Sequence, residues 1–399
     1  MPRTIDLETL LNGCADTCFD DGVRIDAQLE PISGPGGPVK PAVYEGGTYQ
    51  HDKRWASPTD ENPTPVIVID NVPSQANRLE DALRRHREST GVPEFVLDLS
   101  SIPNLPPHLP KQISSLQFPH RNADAYLRDA LLNDQDFLKT DLGLSIFSAT
   151  ASECGPLIAW FPQALIYGFW QSHLGKKRAN TKHARAWVSE IIGWNPAETK
   201  TRSMGLKGDP LNLSTDAEIN SNSADRVEWS IGKGSQVEGG KSDRLSNIGH
   251  GQVPFRGEDA TAAPVSFARI TQRSTVSFAQ LRRVSLGPGG TPAADAAGRA
   301  LLLAMGLCAH AIAFGGGLAL RSGAELRTRN STATWLGAEG DEVCELGGAE
   351  ALRGLLAEAL ERAAEVGVPL DGWGAAPVVL TPKDNLRKAI RETWPDLDS

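Results

Sequence analysis

Five cations stand within ten residues of this chain, at Lys176, Lys177, Arg178, Lys182 and Arg185. From His173 to Lys207, eight Lys/Arg face only two acids, Glu190 and Glu198. A dense cluster of one sign is the chemistry that neutralises phosphates, which takes positive charge near a backbone and no reactive group. The same cluster also fits a lysine-rich solvated loop. A second polar group, Gln75-Ala76-Asn77-Arg78, opens a helix directly after a strand, where side chains and free amides can meet a phosphate or a neighbouring subunit. His120 and Arg121 crowd Asp124 at the start of another candidate helix, as a ligand cluster or as a cap with an ion pair. Arg269, Arg273, Arg282 and Arg321 lie in strand-like stretches, and no acid occurs between Ala260 and Gly290. Each arginine also fits an ordinary surface or interface ion pair.

Groups for covalent or metal chemistry are scarce. HExxH, the GxSxG elbow and the Walker spacing are all absent, and the GKGS at 232–235 lacks the spacing G-x-x-x-x-G-K-[ST] that a phosphate loop requires. The histidines (51, 86, 108, 120, 173, 183, 250, 310) show no ligand spacing, and His310 sits in an apolar helix as a core residue would. Asp26 is a lone carboxylate on a strand face, and the pair Asp396 and Asp398 falls in the last four residues. Five cysteines (14, 18, 154, 308, 344) are scattered, and Cys14 and Cys18 lack the second pair of a zinc knuckle. Reduced thiols in a cytoplasmic protein are expected, with no catalytic set, no metal and no cofactor.

The elements that must position these residues follow from periodicity. Val23–Ile32 alternates apolar Val23, Ile25, Ala27 and Leu29 with Arg24, Asp26, Gln28 and Glu30, a strand with one buried face. Val66–Ile69 is a run of four β-branched residues, a covered strand; Pro73 then turns the chain and Ser74 caps a helix carrying Leu79 and Leu83 on one side. Residues 5–12 predict a short helix, Glu94–Leu99 a strand and Phe118–Leu132 a helix with Tyr126, Leu127 and Leu131 on one stripe. Leu157–Trp170 is apolar and interrupted by Pro162. Lys182–Trp194, Val265–Ile270, Ser274–Ser285, Leu318–Arg329 and Val378–Leu380 read as strands. Pro292–Phe314, Gly348–Glu365 and Pro382–Trp394 read as helices. The longest apolar runs contain Pro, Gln, His or Gly, so buried helices are expected and no membrane association. No basic-then-apolar leader opens the chain, which again points to the cytoplasm. The net charge of -9 means that any phosphate-binding face is local. Residues 200–265 change to Ser, Asn, Gly and Asp, as an inserted, partly mobile lobe would.

VRIDAQLEPI at 23–32, a Gly-rich loop ending in TYQ, and VIVIDNVPSQANRLEDAL at 66–83 together resemble the RAMP-superfamily backbone subunit of type I-G (formerly I-U) CRISPR surveillance complexes. FPHRNADAYLRDALL at 118–132, FPQALIYGFWQS at 161–172, KHARAWVSEIIG at 182–193, FAQLRRVSL and GLALRSGAEL extend the resemblance over nearly the whole chain except 200–250. It implies an α+β fold: a modified RRM/ferredoxin-like core, β-α-β-β-α-β, with large insertions forming finger and thumb lobes. The core would comprise 1–170 and 264–399, and the inserted basic lobe 171–263. It further implies a non-catalytic subunit that binds CRISPR RNA and polymerises with copies of itself along it. The guide would be left able to pair with target DNA, with other effector subunits and a separate helicase–nuclease as partners. The stacking aromatics usual in RNA-recognition domains are missing from Val23–Ile32. On the residues alone, two other readings stay open. One is a metal-dependent RNA endonuclease using Asp26; the other is a structural homo-oligomer that binds no nucleic acid.

Overall fold

The computed structural model describes residues 3–45, 48–171, 181–197, 211, 213, 217–222, 228–232, 237, 240–250 and 263–393. Asp6 caps α1 (Leu7–Cys14) by accepting from the Thr9 amide at 2.9 Å. In β1 (Gly22–Pro31) the alternation buries Val23, Ile25, Ala27 and Leu29 and turns Arg24, Asp26 and Gln28 to the opposite face. β2 (His51–Arg54) and β3 (Thr64–Asp70) are antiparallel, and Val66–Ile69 are buried as a covered strand requires. α2 (Val72–Arg85) starts earlier than expected, because Asn71 and not Ser74 is its cap. Pro73 is accommodated in that first turn, where its missing N–H would have had no helical partner.

β4 (Phe95–Asp98) follows. The helix expected over 118–132 is not there. In its place are a 3-10 turn at Arg121–Ala123, one α turn at Ala125–Arg128 capped by Asp124, and a strand at Ala130–Leu132. Arg121 takes a positive φ of 52°, outside the right-handed region that a continuous α-helix needs, and the cap at Asp124 restarts the chain in a new direction. The apolar run at 157–170 divides at Phe161–Pro162 into α3 (Gly155–Trp160) and α4 (Pro162–Tyr167). β5 (Trp187–Pro196) and β6 (Phe267–Ser277) are long strands, and the chain beyond Ser277 becomes a helical turn, Phe278–Leu281, where continued strand was expected.

α5 (Pro292–Phe314) is long and apolar enough to cross a membrane by composition, but 83% of its most apolar window is buried inside the fold. β7 (Gly317–Arg321) and β8 (Ala324–Gly337) form a hairpin where one strand was expected. Gly323, at φ 77°, supplies the left-handed residue that reverses the chain. β9 (Gly340–Glu345), α6 (Ala349–Glu365), β10 (Val378–Pro382) and α7 (Asp384–Thr393) complete the described chain.

The main sheet runs Arg3–Thr4, β9, β8, β1, β6, β5, β3, β2, with β7 added to β8. Its four central strands, β8-β1-β6-β5, are antiparallel neighbours. In chain order they are β1, β5, β6 and β8, with α2 between the first two and α5 between the last two. This is a mixed α+β architecture whose interleaved elements are consistent with a ferredoxin-like fold. α1, α2 and α6 pack on α5 beside one sheet face, and the core is one continuous cluster. β5 falls inside the segment expected to form the inserted lobe, yet it occupies the sheet between β6 and β3. Its Trp187, Ser189 and Ile191 alternate inward as core strand residues do. The described part of the lobe holds a three-stranded sheet of Glu218–Asn222, Trp229–Ile231 and Gly240–Arg244.

α5 touches α4 and β5 so closely at Gly306 that an added Cβ would lie 2.6 Å from Ile166 Cδ1 and 2.8 Å from the Trp187 ring. Gly→Ala in a helix ordinarily stabilises; here the sign reverses. Gly306→Ala is expected to cost about 1–3 kcal/mol in urea unfolding, as overpacking does.

Candidate nucleic-acid interface

The sheet face turned away from α5 carries a lattice of ion pairs. Asp26 accepts from Arg24 Nε at 2.9 Å and from Arg273 Nε at 2.6 Å. Glu190 binds Arg54, whose Nε also reaches Asp52 at 3.0 Å, and Glu30 holds Arg327 and Arg329. Arg269 lies 4.4 Å over the Trp194 ring, whose Nε1 donates to Thr271 Oγ1 at 2.8 Å. Within the run of cations without an acid at 260–290, Arg273 is therefore matched by Asp26 on β1, while Arg269 is taken up by Trp194. Asp26, flanked by two guanidiniums, sits in no metal-binding cluster, and no group of three or more His, Cys, Asp or Glu suited to a metal occurs among the described residues.

Three of the candidate binding residues converge on one buried carboxylate. Asp70, at the end of β3, is fully buried and accepts from Ser74 Oγ at 2.9 Å, Gln75 Nε2 at 2.5 Å, Arg78 Nε at 2.8 Å and Arg321 Nη2 at 2.8 Å. Burial pushes this carboxyl up, but the Arg78 hydrogen bond and charge, with Gln75 and Ser74, outweigh it and hold it below the usual range. Arg321 also donates to the Ile69 and Lys40 carbonyls and Arg78 to that of Leu320. Gln75, Arg78 and Arg321 thus tie α2, β3, β7 and the loop at 40 together. Asn77, one turn further out, is exposed over a groove of ≈ 480 Å³ between α2 and the α5–β7 corner.

Arg121 is buried in a bidentate pair with Glu80 of α2, at 2.7 and 2.8 Å, and donates to the Gly168 carbonyl at 2.9 Å. Burial raises the Glu80 carboxyl and Arg121 opposes that rise. His120 is exposed beside Asp124, Arg128 and Gln171 at a small pocket of ≈ 140 Å³. Arg282 donates to the Gly13 and Asp20 carbonyls at 3.2 and 2.9 Å, closing the loop after α1.

Of the basic cluster, Lys176, Lys177 and Arg178 lie outside the described residues. Lys182 and Arg185 are described and exposed. Thr181–His183 pairs with Phe169–Gln171, and the register sets Lys182 directly opposite Trp170, which is 61% exposed. His183, buried opposite Phe169 and bonded to the Leu165 carbonyl at 2.8 Å, anchors this hairpin to α4. Although Arg185 is exposed as a whole, the protein packed against part of it near Gly168, and then the Arg121 charge, lower its guanidinium's affinity for its proton. An exposed indole beside two cations is a stacking surface next to phosphate-binding groups. The reading of the sequence passed over Trp170, whose signal is an aromatic ending an apolar run just before a basic one.

The α+β sheet with its interleaved β-α-β units thus carries a basic, aromatic hairpin at its flank. Residues 23–197, spanning β1 through β5, match the family model of CRISPR-associated protein GSU0053 (Cas_GSU0053). The match covers somewhat less than half of the chain. No curated protein matches the chain.

Arg121→Ala strands the buried Glu80 and is expected to cost about 3–5 kcal/mol, whereas replacing both partners by apolar residues of similar volume costs much less, as urea unfolding would read. Burial lowers His310 from 6.5 to about 4, so the unfolded chain binds its proton first. Stability from this site is complete above pH 6.5 and falls by up to about 3 kcal/mol as pH drops to 4. His310→Phe is expected to flatten unfolding free energy against pH in that window.

Proposed function

We propose that this chain is a non-catalytic, cytoplasmic backbone subunit of a type I-G CRISPR surveillance complex. It binds CRISPR RNA and polymerises with further copies of itself along the guide. Spacer bases are left free to pair with target DNA, which a separate helicase–nuclease cuts. The observation that carries the reading is the exposed hairpin in which Trp170 faces Lys182, with Arg185 beside it, in a chain whose segment 23–197 is similar to a CRISPR-associated family. Lys176, Lys177 and Arg178 continue the same positive run in sequence. Arg269 and Arg273 contribute as secondary contacts, because a phosphate can accept from guanidinium edges now directed at exposed partners. Asn77 and His120 border grooves where an RNA or a neighbouring subunit fits. Gln75, Arg78, Arg121, Arg282 and Arg321 serve by holding these surfaces in place. The RRM-like core supplies the platform, and pairing by the guide supplies specificity.

Protein purified from cells expressing a matching CRISPR array is expected to carry a discrete guide-sized RNA with several protein copies. Lys182→Glu with Arg185→Glu should weaken RNA binding and reduce the slope of log K against log salt by roughly 1–1.5. RNA-free protein that takes up no added guide would overturn the reading. Divalent-dependent RNA cleavage lost in Asp26→Asn would replace it with the endonuclease.

A further inference from the structure

A cavity of ≈ 780 Å³ opens between the inner faces of β1, β6 and β8 and the facing ends of α5 and α6. Ala27, Ala333 and Phe314 give it apolar walls, and Gln272 and His310 reach it from β6 and α5. Both are polar and nearly sealed, at 2% and 6% exposure. What they offer a ligand is fixed by Asp70, through a chain of buried hydrogen bonds whose directions leave no choice.

Asp70 is ionised and can only accept, so Gln75 presents its Nε2 to it and its Oε1 inward. That oxygen receives Ser189 Oγ at 2.9 Å and Gln272 Nε2 at 2.7 Å. The Ser189 proton being spent on Gln75, Ser189 Oγ accepts from Ser274 Oγ at 2.8 Å. Ser274, its own proton spent, can only accept from His310 Nδ1 at 3.5 Å. The imidazole, kept neutral by burial against Trp187 and Phe314, therefore carries its proton on Nδ1 and an open lone pair on Nε2. Neither His310 Nε2 nor Gln272 Oε1 has a hydrogen-bond partner among the described residues. The cavity floor is thus a pair of uncharged acceptors, and the one carboxylate among the lining residues, Glu345, is exposed to solvent.

We propose that this cavity binds a guanine-type base, whose adjacent N1–H and exocyclic amine supply two uncharged donors on one edge. Adenine and cytosine carry one donor group beside an acceptor nitrogen, and uracil one donor between two carbonyls. An ammonium or guanidinium would leave water for a floor where neither Gln272 nor His310 carries a charge. Arg353, half-buried at the mouth with no ion pair among the described residues, suits the attached phosphate. The base belongs to a free guanine nucleotide or to a guanosine within a strand.

The full-length protein would be titrated calorimetrically with 5′-GMP, 5′-IMP, 5′-AMP and guanosine. Saturable binding of one GMP per chain is expected. IMP, lacking the exocyclic amine, should bind about tenfold more weakly or worse, since a buried acceptor is left unpaired. Ala333→Leu, which fills the cavity, and His310→Phe, which deletes an acceptor, should each abolish binding; thermal melting reports that each variant is folded. Arg353→Ala should remove the advantage of GMP over guanosine. An oligonucleotide with a single guanosine displaces GMP if the base is strand-borne and leaves it bound if the nucleotide is free. No saturable GMP binding, equal affinity for IMP, or unchanged affinity in folded Ala333→Leu would overturn the proposal. Guide-RNA content, measured on the same variants, reads the backbone role separately, because the cavity shares no residue with the Trp170–Lys182 hairpin.

Discussion

A carboxylate with no exposure, Asp70, holds two guanidiniums, and much of the surrounding structure depends on that arrangement. One cation comes from the helix that follows its strand and the other from a hairpin some 250 residues later in the chain. Burying any one of these charges alone would be costly, and together they are acceptable because every acceptor site of the carboxylate is used. The junction therefore enforces the docking of β7 and α2 onto the end of β3. It also gives the interior a polarity, since each side chain linked to Asp70 must turn a donor toward it. A second buried pair, Glu80 with Arg121, repeats the device one helical turn and a half further along α2 and fastens the irregular stretch around 121 to the carbonyl end of α4.

The exterior follows a different rule. The open sheet face alternates sign from strand to strand, so that it is nearly neutral in itself, and exposed pairs of this sort add little to stability. Unbalanced positive charge is displaced to the flank, in the hairpin of Trp170 and Lys182. A surface balanced in this way attracts stray polyanions weakly while still presenting guanidinium edges at close range.

Much of the scaffold was legible in the sequence because it is written in short-range periods. The alternation in β1, the β-branched run of β3 and the apolar length of α5 each need only their own residues to be recognised. What escaped depended on partners far away in the chain. Arg121 reads as an exposed binding residue until Glu80, 41 positions earlier, is found bonded to it. Arg273 reads as free until β1 is laid beside β6 and Asp26 stands opposite. The stretch at 118–132 has a helical stripe, but a left-handed residue and an internal cap break it. For the candidate binding residues, the sequence names cationic, imidazole and amide groups by type alone. It could not separate those spent inside the fold, such as Gln75 and Arg78, from those left facing solvent, such as Asn77 and Lys182.

The centre of the main sheet joins β1 to β8, with Ile25 opposite Ala333. These strands are made about 300 residues apart, so during synthesis at roughly 5–20 residues per second β1 waits some 15–60 s for its neighbour. Over that interval an apolar strand with an unpaired edge stands open on the ribosome. The nascent chain must shelter it with α1 and local collapse, or with a chaperone.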